Sequence, residues 1–389
     1  MPDKTQTELR RRQVWMPGES GTVDGLRRLV ETHTLLSDWP FAVEIAANIP
    51  VYDAAIADDR SVDRAELMAE WADAFLSGPG IVVLRQAISN AAVIDQATKL
   101  FNEMIDTERS RGAAADHFAK PGANDRVWNS LEKQCLSDPE NFAAYFSGAA
   151  INLVSRAWLG DGYQMTAQVN RVNPGGAAQS AHRDYHLGFM SGARMALFPS
   201  HVHQLSPMLT LQGAVAHVDM PLETGPTLYL PYSQVFREGY LAFGRAEFQD
   251  YFDQNRVQLA LRKGDAVFFN PAVMHAAGTN QTKDRHRMGN LLQVSSAMGR
   301  AMETVNRLRM VKALYPVLLG SGFDAEQTAR VIAASAEGYA FPTNLDNDPP
   351  TGGLAPKTQA AIMHECLAAA TPAAAFEARV DDLFKRQRA

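Results

Sequence analysis

His182 and Asp184 stand two residues apart in Gln179-Ser-Ala-His182-Arg-Asp184-Tyr-His186. Successive side chains of a strand point to opposite faces, so an imidazole and a carboxylate at this spacing project the same way and can bind one metal ion. A second imidazole from elsewhere would complete the facial triad that holds Fe(II) and leaves positions open for a co-substrate and O2. His275 is the candidate. It follows the apolar run Ala266-Val-Phe-Phe-Asn-Pro-Ala-Val-Met, which a Gly264-Asp265 turn feeds. Taken alone, a histidine after an apolar strand is more often a hydrogen-bonded structural residue than a ligand. The His182/Asp184 pair in the same strand-rich region shifts that balance.

Iron in such a site needs an electron source to activate O2, and a 2-oxo diacid can chelate it through its keto-carboxylate end. The far carboxylate then needs a fixed cation, and the planar fork of arginine suits it through two charge-assisted hydrogen bonds. Arg285 and Arg287 share a face if their segment is extended. Arg287 is preferred because it leads directly into Gly289-Asn-Leu-Leu-Gln-Val, a strand entering the core, and Arg285 is the alternative. Without the triad both would read as solvated surface charges. Gln168, Asn170 and Thr227 are further candidates for co-substrate binding, and His186, Lys120 and Trp128 for the substrate side. His201, His203 and His217 lack ligand spacing to one another and read as structural or exposed.

These residues need elements to position them. Helical spacing of apolar residues predicts a helix from Asp63 to Phe75, closed by Gly78-Pro79-Gly80, then a buried strand at Ile81-Val-Val-Leu84 and a second helix over 90–108. Residues 109–130 lose the periodicity and read as a loop; 139–158 look helical again. From Gln164 the pattern alternates. Asn173-Pro-Gly-Gly176 turns the chain into the His182 strand, and 187–208 are irregular, long enough for a binding loop. Strand-like runs follow at 209–219, 227–230, 257–261, 266–269 and 289–296, a spacing that argues for a β-sandwich or jelly-roll barrel. After Met298 come Ala-rich helical patterns at 299–318, 324–337 and 355–386. The expected organisation is an N-terminal extension at 1–60, a jelly-roll domain with supporting helices at 61–298, and a C-terminal helical region at 299–389. That last region would pack on the core or on a second subunit, making a homodimer.

Composition narrows the class. With 46% hydrophobic and 21% charged residues and a net charge of −6, the chain reads as a soluble globular protein without the basic surface that nucleic acid or anionic membrane requires. Cys135 and Cys366 are far apart, which supports neither a disulfide framework nor a thiolate zinc site and fits a reducing cytoplasm. No apolar h-region follows the charged N-terminus and no run of about 18 apolar residues occurs, so neither signal peptide nor membrane span is expected.

Four segments together resemble the phytanoyl-CoA dioxygenase family of Fe(II)- and 2-oxoglutarate-dependent oxygenases. They are Gly80-Ile-Val-Val-Leu-Arg; Pro174-Gly-Gly-Ala-Ala-Gln-Ser-Ala-His182-Arg-Asp184-Tyr-His186; Glu223-Thr-Gly-Pro-Thr-Leu-Tyr-Leu-Pro231-Tyr-Ser-Gln234; and Gly264-Asp265 through His275, Gly278, Asn280 and Thr282 to the arginines. The resemblance covers roughly residues 75–300. It implies an α+β protein with a mainly β core, a double-stranded β-helix (jelly roll, cupin-like) flanked by N- and C-terminal helices. It also implies iron on His182, Asp184 and His275, and an arginine on the 2-oxoglutarate C5 carboxylate. The expected reaction consumes 2-oxoglutarate and O2, releases succinate and CO2, and oxidises a C–H bond of a small organic substrate, usually to a hydroxyl. Halogenases of this fold leave the carboxylate position vacant for halide, so Asp184 argues for hydroxylation, desaturation or ring formation. Two departures stand out. Pro231-Tyr-Ser-Gln234 replaces the usual Pro-Gly-Ser-His, and the arginine spacing after His275 falls on either side of the usual one. The competing readings are a jelly-roll hydrolase or isomerase using zinc or manganese at the same three residues, and a non-catalytic β-sandwich binding protein.

Overall fold

Gln164, Thr166, Gln168 and Asn170 alternate with Met165, Ala167 and Val169, and the two sets of side chains go to different places. In the computed structural model, which describes residues 4–110, 122–340 and 343–388, the apolar set packs under helices while Gln168 and Asn170 line a cavity. The strands are β1 (Glu44–Ala46), β2 (Ile49–Asp53), β3 (Ile81–Arg85), β4 (Asn124–Val127), β5 (Gln164–Val172), β6 (Thr210–Ala216), β7 (Leu228–Leu230), β8 (Val257–Gln258), β9 (Ala266–Phe269), β10 (Met274–Ala276) and β11 (Arg287–Ser295). One sheet has the order β1-β2-β3-β9-β6-β11-β5-β4 and a smaller one β10-β7-β8. His182 pairs with His275 as an isolated bridge on the free edge of β10.

From β5 onward the chain changes sheet repeatedly: β5 in the large sheet, His182 beside the small one, β6 large, β7 and β8 small, β9 large, β10 small, β11 large. That alternation is a double-stranded β-helix. The inner faces meet through Val83, Val267, Phe269, Tyr229 and Leu261, while Val82, Leu84, Leu211, Phe268 and Leu292 face the helices. Adjacent residues of β3 and β9 thus serve separate cores, as strand alternation requires.

The Gly264-Asp265 turn is built around two constraints. Gly264 has φ +93°, and a Cβ there would stand 2.6 Å from the Ile88 carbonyl oxygen. Asp265 is fully buried and accepts from Gln86 N–H at 2.9 Å, Arg262 N–H at 2.8 Å and the Arg85 guanidinium at 2.8 Å. The carboxylate is therefore paired on all sides, which a buried charge requires.

Several expectations change. Residues 1–60 are more than a packed extension: β1 and β2 continue the large sheet through β3. His182 lies in a single bridge and not a strand. The 109–130 stretch contains β4, paired with β5, before the helix Ser130–Ser137. Helices were expected over 139–158 and 355–386, and each divides in two: Pro139–Phe146 and Ala149–Leu159, then Gln359–Ala368 and Ala373–Arg386. Gly148 in extended backbone and Pro372, each at the N-cap of the second helix, account for the breaks. Within 187–208 the helix Ser200–Met208 forms. The C-terminal helix Arg307–Gly320 packs on Ser130–Ser137 and Pro139–Phe146 of the same chain.

At Pro231-Tyr-Ser-Gln234 the turn survives without a glycine. Tyr232 takes φ +65°, its N–H donates to the Pro79 carbonyl at 3.0 Å, and its phenol meets Thr34 Oγ1 at 2.8 Å. Thr34 Oγ1 donates to the Asn48 carbonyl at 2.8 Å, so the phenol is the donor in that pair. A side chain in left-handed backbone costs about 1–2 kcal/mol, which burial and this hydrogen bond offset.

Candidate active site

The backbone brings the three expected ligands together. His182 N–H donates to the His275 carbonyl at 2.9 Å and His275 N–H returns the bond at 3.1 Å. Asp184 N–H is held by the Pro271 carbonyl at 2.9 Å. Each imidazole is oriented through Nδ1, which lies 2.9 Å from the Ser180 carbonyl in His182 and 2.8 Å from the Val273 carbonyl in His275. A carbonyl can only accept, so Nδ1 carries the proton in the neutral ring and Nε2 is left with a lone pair for a metal. Both Nε2 atoms lie 3.6 Å from Asp184 Oδ2, and the candidate ligand atoms fall within 4.8 Å of one another. Bonds of about 2.1 Å put cis ligands roughly 3 Å apart, so one ion fits with a small contraction.

The electrostatics are those of a cation site. Burial pushes the Asp184 carboxyl up, but hydrogen bonds and charge from both histidines outweigh it and hold its pKa well below the ordinary carboxylate value. Burial lowers His275, and the charge of His182 adds to that. For His182 burial also pulls down, yet Asp184 prevails and the pKa is raised. An ionised carboxylate beside histidines whose Nε2 lone pairs are free is the state that metal binding needs.

Beside the triad is a cavity of about 1010 Å³ lined by all three residues and by Arg287. Arg287 is 8% exposed, and its Nη1 donates to the carbonyls of Thr224 at 3.2 Å and Gly278 at 3.3 Å. No carboxylate pairs with it among the described residues. Burial lowers its pKa to about 10 and Tyr229 raises it, so it stays charged at neutral pH. A buried guanidinium without an acid calls for an anionic ligand.

The model of the family described as phytanoyl-CoA dioxygenase (PhyH) matches residues 60–289, more than half of the chain. The chain belongs to the PhyH family. A curated relative, dioxygenase FrzG from Cladobotryum sp, is 28% identical over 134 residues. That stretch is 33% of this chain and 40% of FrzG, so the match spans well under two thirds of the relative's length. Among solved structures, the non-heme alpha ketoglutarate dependent epimerase SnoN from nogalamycin biosynthesis aligns at 16% identity and TM-score 0.40, covering 60% of this chain and 84% of SnoN. The non-heme alpha ketoglutarate dependent carbocyclase SnoK from the same biosynthesis aligns at 18% identity and TM-score 0.40, covering 60% and 86%.

The remaining candidates of this PhyH chain divide. Gln168, Asn170, Thr227 and Trp128 line the cavity. Arg285 does not reach it. It precedes β11 in a loop that Asn280 and Thr282 fold back by bonds to its backbone, and its side chain is 60% exposed, 3.4 Å from Glu223. Lys120 lies outside the described residues, and the backbone of His186 begins a short 3-10 turn ending at Phe189. Of the histidines read as structural or exposed, His217 and His203 are buried. Tyr229 and Gln212 went unnoticed in the sequence. Tyr229 carried a signal, since it shares a face with Thr227 two residues before it; Gln212 and Thr210 were the polar residues of an otherwise apolar run. No described helix is long and apolar enough to cross a membrane.

Proposed function

We propose that the chain is an Fe(II)- and 2-oxoglutarate-dependent oxygenase that oxidises a C–H bond of a small organic substrate, with hydroxylation as the favoured outcome. One observation carries the reading: three convergent metal-ligand atoms and a buried arginine without an acid partner share a single cavity. A hydrolase of a neutral substrate has no use for such a cation. Iron with bound 2-oxoglutarate and O2 supplies the oxidising power, and the chain's residues supply position and environment.

His182, Asp184 and His275 would hold the ion, and the cavity they line would give the co-substrate access to it. Arg287 fixes the far carboxylate of 2-oxoglutarate, with Thr227 and the Tyr229 phenol beside it. Gln168 and Asn170 of β5 offer hydrogen bonds to the co-substrate, and Trp128, just after β4, gives the substrate an aromatic wall. The apolar residues Val83, Met220, Val267 and Phe269 line another part of the wall and lower the local polarity, which strengthens the charge contacts beside them. A volume of about 1010 Å³ holds a co-substrate and a substrate together.

Aerobic incubation with Fe(II) and 2-oxoglutarate is expected to yield succinate, abolished in His182→Ala and weakened in Arg287→Ala. Absence of 2-oxoglutarate turnover across a substrate panel, together with activity supported by Zn(II), would overturn the proposal.

A further inference from the structure

Asp184 carries a hydrogen bond on the oxygen that faces both histidines. Gln212 Nε2 donates to Asp184 Oδ2 at 2.9 Å, the same atom that stands 3.6 Å from each Nε2. Gln212 is 3% exposed and sits on β6, between Phe269 of β9 and Gln293 of β11 in the sheet register. Asp184 belongs to the segment at the edge of the other sheet. The bond therefore ties the carboxylate to the large sheet across the cavity.

The orientation of the amide is decided by its surroundings. Gln212 Oε1 is buried without a hydrogen-bond partner among the described residues, and turning the amide over would set that oxygen against the carboxylate. Burying an amide with one unpaired oxygen is costly, and a leucine of similar volume would avoid that cost.

We propose that Gln212 is a positioning residue that fixes Asp184 as a one-oxygen metal ligand. A carboxylate can rotate and offer both oxygens to one ion, and a second Asp184 oxygen would take a position that the chelating co-substrate needs. With the Gln212 N–H on Oδ2, one lone pair of that oxygen is used and the other remains for the ion, and turning the carboxylate to bring Oδ1 onto the ion would break this bond. The inference rests on the triad being a metal site, as the proposed function has it, and applies to any divalent ion of similar size.

The test is an anaerobic Co(II) titration of the full chain without 2-oxoglutarate, followed by visible absorption, for the wild type, Gln212→Leu and Gln212→Met. Thermal unfolding of the metal-free proteins shows that the variants fold, and two variants guard against loss of one. Co(II) affinity is expected to fall about 10- to 100-fold in both variants. The intensity of the Co(II) bands is expected to change as well, because it follows coordination number. Affinity within twofold of the wild type overturns the proposal, and so does reduced affinity with an unchanged spectrum. Failure of the oxygenase reading looks different: the wild type would bind Co(II) yet make no succinate with Fe(II) and 2-oxoglutarate, and the Gln212 comparison would stand.

Discussion

His275 and Tyr229 face each other directly across β10 and β7, and the ring of Phe269 lies edge-on to both, with centroid distances of 4.8 and 5.2 Å. Tyr229 lines the same cavity as the triad and Arg287. Burial pushes the Tyr229 pKa up while Thr227 and Arg287 pull it down, with burial prevailing, so the phenol is a neutral donor at working pH.

Tyr229→Phe removes one neutral donor and is expected to raise the 2-oxoglutarate dissociation constant about 5-fold, from a hydrogen bond of about 1 kcal/mol. Arg287→Ala removes charge-assisted bonds worth about 1.5–3 kcal/mol and should raise it roughly 10- to 150-fold. Arg285→Ala should change it less than about twofold, because that side chain is exposed and held by Glu223. Anaerobic titration of the Fe(II) protein, read by its visible charge-transfer band, ranks all three. An Arg285→Ala loss larger than that of Arg287→Ala would reverse the assignment.

Metal binding should stabilise the fold, because the ligands come from two segments far apart in sequence, the His182/Asp184 pair and His275. At a free ion concentration of about 100 times Kd the gain is about 2.7 kcal/mol. Adding Fe(II) or Mn(II) to chelator-treated protein should therefore raise Tm by a few degrees, and His182→Ala should erase the rise. An equal rise in His182→Ala would place the ion elsewhere.

Tyr232 and Thr34 join the N-terminal segment to the turn after β7. Tyr232→Phe and Thr34→Val each remove one partner, and a double-mutant cycle by chemical denaturation should return a coupling of about 1 kcal/mol. Replacing Tyr232 by Gly should also destabilise, because lost burial and hydrogen bonding exceed the relief of its backbone strain. A more stable Tyr232→Gly would show that strain dominates.

His217 is buried, with Nδ1 2.8 Å from Thr98 Oγ1 and Nε2 3.0 Å from the Tyr145 phenol. Thr98 Oγ1 donates to the Ile94 carbonyl at 2.7 Å, so His217 Nδ1 donates to Thr98 and Nε2 accepts from Tyr145. Burial lowers the His217 pKa from 6.5 to about 3. The unfolded chain thus takes up a proton that the native one refuses. Stability from this group is fully present above about pH 6.5 and falls, by up to about 1.4 kcal/mol per pH unit, as pH drops toward about 3. In urea unfolding between pH 7 and 4.5, His217→Gln should lose less stability than the wild type. Parallel curves for the two proteins would exclude the mechanism.

Much of the site could be read locally. The two-residue spacing of His182 and Asp184, the Gly264-Asp265 turn before an apolar strand, and the alternation from Gln164 each depend on a few neighbouring residues, whose faces strand geometry sets. The choice between Arg285 and Arg287 could not be read that way. Both share a face in an extended chain, and it is the loop closed by Asn280 that turns one outward and lets β11 begin at the other.

The sequence by itself determined the ligand types, the family resemblance, the mainly β core and the flanking helices, because these follow from periodicity and short motifs. Only the tertiary structure decided that β1 and β2 extend the large sheet, that Tyr229 stands opposite His275, and that Gln212 reaches Asp184 from the far wall. Periodicity tells which way a side chain points; what it meets there depends on strand pairing between distant segments. Gln212 had no partner within its own strand, and its meaning came from a carboxylate on the other sheet.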